Sequence, residues 1–239
     1  MNKRGQVTLY IIVGLIVVVI ISLVIILTRS VTKDIAGEKA VISSGEEIYD
    51  FTQQCIEEVG EDALVLIAGQ GGNYKEYPEV INFNGHNIAR YCGADKLTGI
   101  PDESSIEDEL NFYFQDNLLS CLGYYSGFEE QGYKIEYGTP EVELTLLEDI
   151  TGFDVKFNIK ASKGGKEISY SEFVYESDFP FLRLYSEANK QYLSELQCGC
   201  GINSGCMTEN GPTNVLMDET SGSKIIVINY GGSLFKFAM

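Results

Sequence analysis

Tryptophan is absent from the 239 residues, and histidine occurs once, as His86. A nucleophilic triad needs a base, and no G-x-S-x-G stands beside that single imidazole. Basic side chains are also scarce: 17 Lys and Arg stand against 35 Asp and Glu, a net charge of −18. Residues 1–29 hold Lys3, Arg4 and Arg29 and no acid, so the remainder carries −21. That excess repels nucleic acid and anionic lipid surfaces. There is no low-complexity tract and no clear internal repeat. Gly69-Gln70-Gly71-Gly72 lacks the following Lys-Ser/Thr of a phosphate cradle and reads as a helix stop. Asp149 and Asp154 flank Gly152 without the spacing of an EF-hand. Glu107-Asp108-Glu109 and Glu129-Glu130 read as solvated faces, with nothing in their spacing to make them converge. No catalytic residue, cofactor or metal site is therefore expected.

Charge is missing altogether from Gln6 to Thr28. Within that stretch Leu9–Leu27 reads LYIIVGLIVVVIISLVIIL, interrupted only by Gly14 and Ser22. As a helix, Gln6–Thr28 would rise roughly 33 Å, the thickness of a bilayer's hydrocarbon core. Nothing polar in it suggests an ion path, so it reads as an anchor or assembly helix in the lipid bilayer. Arg29-Ser30-Val31 is a poor site for signal peptidase. Lys3, Arg4 and the amino group precede the run, and Arg29 and Lys33 follow it; the slight bias puts the N-terminus in the cytoplasm. The acidic remainder, with all six cysteines, then lies outside the cell.

The short basic stretch Lys3-Arg4-Gly5-Gln6, with Val7-Thr8-Leu9-Tyr10-Ile11 entering the apolar helix, resembles the class III signal peptides of archaeal type IV pilin-like proteins. The resemblance implies cleavage between Gly5 and Gln6 by a prepilin-peptidase-like enzyme, which leaves the helix on the mature protein. It also implies self-assembly through that helix. Tyr10 departs from the family, many of whose members carry Glu at the fifth mature position; that Glu is tied to filament assembly. More loosely, residues 48–196 resemble the acidic domain of pilin-like surface proteins. The implied role is a structural subunit of a surface filament or adhesion assembly. A non-assembling surface binding module is the alternative.

The expected organisation is a leader (1–5), a transmembrane helix (6–28), a juxtamembrane helix or joint (29–47) and an acidic extracellular domain (48–239). The fold class is α+β: the transmembrane helix continues toward helices packed on an antiparallel sheet, as in pilins. Ser44 and Glu47 make a capping box. Ile48, Phe51, Cys55, Val59, Ala63 and Leu66 recur at helical spacing, with Gly69 as the stop. Asn84-Gly85 predicts a two-residue hairpin. A second helix opens over residues 102–105, with Ser105 and Asp108 at cap spacing, and buries Ile106, Leu110, Tyr113, Asn117 or Leu118, and Cys121. Period-two alternation places strands at 133–137, 141–147, 153–161 and 167–175. A helix over 178–196 turns Leu182, Tyr185, Ala188, Tyr192 and Leu196 inward. Residues 197–213 read as a Cys- and Gly-rich loop, and 224–230 with 233–237 as a closing hairpin. Strands of the middle and the tail are candidates for one sheet.

Six cysteines permit fifteen pairings. Cys55 and Cys121 sit on the apolar sides of two predicted helices and are candidates for one bridge. Cys198 and Cys200 are too close to bridge easily, so Cys206 is expected to join one of them and Cys92 the other. The competing reading is a soft metal on the C-x-C-x5-C of Cys198, Cys200 and Cys206, with Cys92 or His86 as fourth ligand. Disulfides are the default for thiols outside a cell.

Overall fold

The computed structural model describes residues 45–75, 77–92, 99–197, 213–218 and 222–239. The expected leader and membrane run, including Gly5 and Gln6, and the joint as far as residue 44 lie outside the described residues; residues 45–47 of the joint are helical. Cys198, Cys200 and Cys206 also lie outside the described residues. Among the described residues no helix is long and apolar enough to cross a membrane. The chain divides into two units, 1–48 and 49–239. The second is α+β, with helices and antiparallel sheets.

Helix α1 covers residues 45–69. Cys55, Ile56, Val59, Ala63, Leu64 and Ile67 are buried at the three- and four-residue spacing of one helical face. Phe51 and Leu66, expected inside, are only half-buried. Gly60 lets the helix pass close to its neighbours: a Cβ there would lie 3.4 Å from the Tyr175 ring and 3.6 Å from Phe114. The helix ends at Gly69, but the glycine that turns the chain is Gly71, at φ +82°. Gly72 N donates to Ile67 O at 2.7 Å and Gly71 N to Ala68 O at 3.3 Å, the paired bonds of a Schellman cap. A Cβ on Gly71 would also come within 3.0 Å of Lys236 O.

Strands β1 (Val80–Phe83) and β2 (His86–Ala89) form the expected hairpin, with Phe83 opposite His86. Asn84 and Gly85 both take positive φ, as a type I′ turn requires. Helix α2 (Glu103–Cys121) is capped by Asp102, whose carboxylate accepts from Ser105 N at 2.9 Å. Asp102 is thus the cap where Ser105 was expected, because its carboxylate also takes the hydroxyls of Ser104 and Ser105. The buried face of α2 is Ile106, Glu109, Leu110, Phe114 and Leu118. Phe114 lies inside where Tyr113 was expected; Tyr113 is half-buried against Tyr74, ring centroids 5.1 Å apart.

After Cys121 the chain does not enter a strand directly. Gly123, Tyr124 and Tyr125 are all left-handed, followed by the short helix α3 (Ser126–Glu130). This turn leaves Tyr124 60 % exposed and sends Tyr125 inward. There its hydroxyl lies 2.9 Å from Thr52 Oγ1 and its ring meets Phe51, Phe128 and Tyr137.

The middle sheet is built on β5 (Thr151–Lys163), whose residues from Thr151 to Ala161 alternate inward and outward. Phe153, Val155, Phe157, Ile159 and Ala161 face the core. Strands β3 (Lys134–Tyr137) and β4 (Glu141–Leu146) lie end to end along one side of β5, and β6 (Lys166–Ser177) runs along the other, all antiparallel. Tyr49 of α1 stacks on Phe173 of β6 at 5.0 Å.

Helix α4 (Phe181–Gln197) buries Phe181, Leu184, Tyr185, Ala188, Gln191, Tyr192 and Glu195. The buried stripe is rotated from the expected one, leaving Leu182 and Leu196 half-buried. The tail strands β7 (Thr213–Asp218), β8 (Ser223–Tyr230) and β9 (Ser233–Ala238) form their own antiparallel sheet, so one sheet shared with the middle strands is not what forms. β7 falls where no strand was expected. β8 is central and buried from Ser223 to Ile228. Ile225 and Val227 pack with Ile81, Ile88 and Ala238 against the β1–β2 hairpin. Phe235 of β9 meets Phe181 of α4, ring centroids 6.2 Å apart.

Candidate functional site

A disulfide joins Cys55 of α1 to Cys121 at the end of α2, with Cα atoms 5.8 Å apart. Cys92 is also disulfide-bonded, to a partner outside the described residues. The two helices are further tied through the loop between α1 and β1. Glu109 is buried on α2, where Oε2 accepts from Tyr74 N at 2.9 Å and Lys75 N at 2.7 Å. Asp116, two turns on, accepts from Tyr74 Oη and pairs with Lys75 Nζ at 2.9 Å.

The same helix protects the free side of β4. Among the described residues that strand pairs with β5 on one side only, so its outward N–H and C=O groups need other partners. Asn111 supplies them as a strand would: Val142 N donates to its Oδ1 at 2.7 Å, and its Nδ2 donates to Val142 O at 2.9 Å. Glu107 Oε1 accepts from Leu144 N at 3.4 Å. Beside this clamp runs an open groove of about 360 Å³ between α2 and β4. Asp108, Glu141 and Glu143 give it negative charge; Phe112 gives it an apolar edge. Its lining cation, Lys156, is held by Glu143 at 2.6 Å, and that hydrogen bond raises the Lys156 pKa. Both side chains are more than half exposed, so the pair contributes little. The groove presents carboxylates and amides to a polar guest; a nucleophile paired with a base is not among its lining residues.

The carboxylates noted in the sequence go separate ways. Glu107, Asp108 and Glu109 point to the β4 edge, the groove and the buried loop contact respectively, as consecutive helical residues must. Glu129 and Glu130 are carried on α3, Glu130 exposed. Asp149 pairs with Arg183 at 2.9 Å, while Asp154 is exposed on the outer face of β5. His86 is exposed at the start of β2. Among the described residues no three His, Cys, Asp or Glu side chains are grouped to hold a metal.

Two polar clusters escaped the sequence reading. Glu61 of α1 accepts from the Tyr175 hydroxyl and from Ser177 Oγ, the latter at 2.5 Å, fixing α1 to the end of β6. Burial and the Glu61 carboxylate push the Tyr175 pKa up to about 12. Lys224 of β8 and Glu195 of α4 form a buried ion pair, their nearest atoms 2.5 Å apart. A signal for the second was present: Glu195 sits three residues after Tyr192 on the apolar stripe of α4, and Lys224 leads the apolar run Ile225–Ile228. No known protein family, curated protein or solved structure matches the chain.

Proposed function

We propose that the chain is a membrane-anchored, pilin-like surface protein, a structural subunit of a surface filament or adhesion assembly. The observation that carries this reading is the junction Lys3-Arg4-Gly5-Gln6 followed by an uncharged run to Thr28. In this reading a prepilin-peptidase-like enzyme cuts between Gly5 and Gln6, and the retained helix anchors the protein with its N-terminus on the cytoplasmic side. The helix also serves as the self-assembly element. The −21 charge and the disulfide between Cys55 and Cys121 support an extracellular placement of the acidic domain. A long helix lying along an antiparallel sheet, as α1 does through Tyr49 and Phe173, is consistent with a pilin-like arrangement.

Tyr10, in place of the assembly-linked Glu, favours a second reading in which the same anchored domain binds an envelope or cell partner without polymerising. Two measurements test the pair. Mass spectrometry of the protein from native membranes is expected to find Gln6 at the N-terminus, and a start at Met1 would return it to a plain anchor. Filaments labelled by an antibody to the acidic domain are expected on intact cells; processed protein without filaments would select the binding module.

A further inference from the structure

Lys224 lies on the face of β8 turned toward α4, in line with the buried residues Ile226 and Ile228. Its side chain is 3 % exposed and that of its partner Glu195 is 1 % exposed. By contrast, the lysines of the ion pairs Lys75–Asp116, Lys134–Glu136, Lys156–Glu143 and Lys190–Glu187 are 45 % exposed or more. Nζ of Lys224 stands 2.5 Å from Glu195 Oε2, and Gln191, one turn back on α4, donates from Nε2 to Glu195 Oε1 at 3.2 Å. An ammonium group has three hydrogens to place. Among the described residues Glu195 is the acceptor found for them. Two hydrogens therefore find no acceptor among the described residues. Nucleophile and acyl carbon are held together by the fold, and an amide N–H already rests on the second oxygen.

We propose that Lys224 and Glu195 form an intramolecular amide that covalently staples α4 to β8. Nζ passes one proton to Oε2 and attacks Glu195 Cδ, and the C–N bond forms. Negative charge developing on Oε1 is stabilised by the Gln191 N–H. The bond from Cδ to Oε2 then breaks. Oε2 departs with two of the three ammonium hydrogens as water, and the third stays on the amide nitrogen. Atoms and charge balance within the pair, and no oxidant or second reactant is required. Holding the two groups in contact offsets the cost of condensation in water, because orientation that a bimolecular reaction must find is already built in. Gln191 is a positioning residue here, since it acts through the Glu195 oxygen. The staple would close the segment 195–224, which contains Cys198, Cys200 and Cys206, and would hold the α4–β8 junction under mechanical load.

Mass spectrometry of the full chain, purified in detergent, reduced and denatured, tests the bond directly. The expected mass is one water below that of the reduced chain starting at the residue found by sequencing its N-terminus. Proteolysis should yield a branched peptide joining the segments around Glu195 and Lys224. Lys224→Met, which keeps the apolar volume and removes the nucleophile, should regain the water and lose the branch. Gln191→Ala should retain both reacting groups and show a smaller cross-linked fraction. An unmodified wild-type mass with linear peptides spanning both residues overturns the proposal. So does a branch at Gln191 with loss of ammonia, which would assign the acyl group to the wrong side chain. Neither readout depends on whether the protein is processed or forms filaments.

Discussion

Replacing Asn111 by alanine should weaken the protein more than a half-exposed polar residue normally would. Its amide makes two hydrogen bonds to the backbone of Val142, at 2.7 and 2.9 Å, on a strand edge with no other strand beside it among the described residues. Each such bond contributes about 1 kcal/mol net, and a backbone group left without a partner costs about 1–3 kcal/mol where water cannot reach it. The neighbouring groove admits water to one side, which places the loss at the lower end, about 2–3 kcal/mol. For a unit of this size that corresponds to a fall in Tm of roughly 5–10 °C. Asn111→Asp is the sharper probe. It keeps the acceptor for Val142 N but sets a carboxylate oxygen against Val142 O, so it should be no more stable than the alanine variant near neutral pH. Thermal unfolding of the full chain in detergent, followed by circular dichroism, reads both. If Asn111→Ala melts at the wild-type temperature, or if Asn111→Asp restores wild-type stability, the side chain is not serving as a surrogate strand.

Replacing both Cys55 and Cys121 by serine should cost about 4 kcal/mol in the chain-entropy model for a sequence separation of 66, measured as a lower denaturation midpoint. The Tyr175 hydroxyl, raised to about 12 by burial and Glu61, favours the folded state while neutral. That contribution is complete below pH ~10 and fades as pH rises toward 12. Tyr175→Phe should remove this part of the alkaline stability loss, and ultraviolet titration should show one late phenol fewer. Asp102 behaves oppositely: hydrogen bonds from the Ser105 side chain and backbone, then Ser104, lower its pKa. Its capping is present above the ordinary carboxylate pKa and is lost as pH falls through the lowered value. Asp102→Ala should flatten the acid limb of the stability profile, and an unchanged limb would remove Asp102 from the account.

Local signals were the legible ones. Asn84-Gly85 forces positive φ at two successive positions, so the hairpin could be read without knowing its surroundings. The alternation of β5 and the glycine-bounded end of α1 are equally local. What failed depends on distant partners. Phe114 rather than Tyr113 is buried because Phe153 waits opposite it, with ring centroids 5.8 Å apart. The grouping of strands into separate sheets follows from which backbone edges meet, and side-chain periodicity carries no record of that. Asn111 and Glu195 were overlooked for a related reason. Each is a polar residue on a face that pattern reading treats as apolar or neutral, and its meaning comes from an edge or an amine on another element. The left-handed run Gly123–Tyr125 contains two tyrosines, residues that seldom adopt that conformation, so their composition argued against the turn they make.

The hairpin of β1 and β2 is completed from far along the chain. Arg90 bridges Ala238 in parallel, and Tyr91 N donates to Ala238 O at 2.9 Å. During synthesis, residues 80–92 must therefore wait, half-assembled, until β9 arrives. Closure over so long a separation is slow. A two-stranded ribbon alone is marginal in water, so this corner is where a protease would find its opportunity.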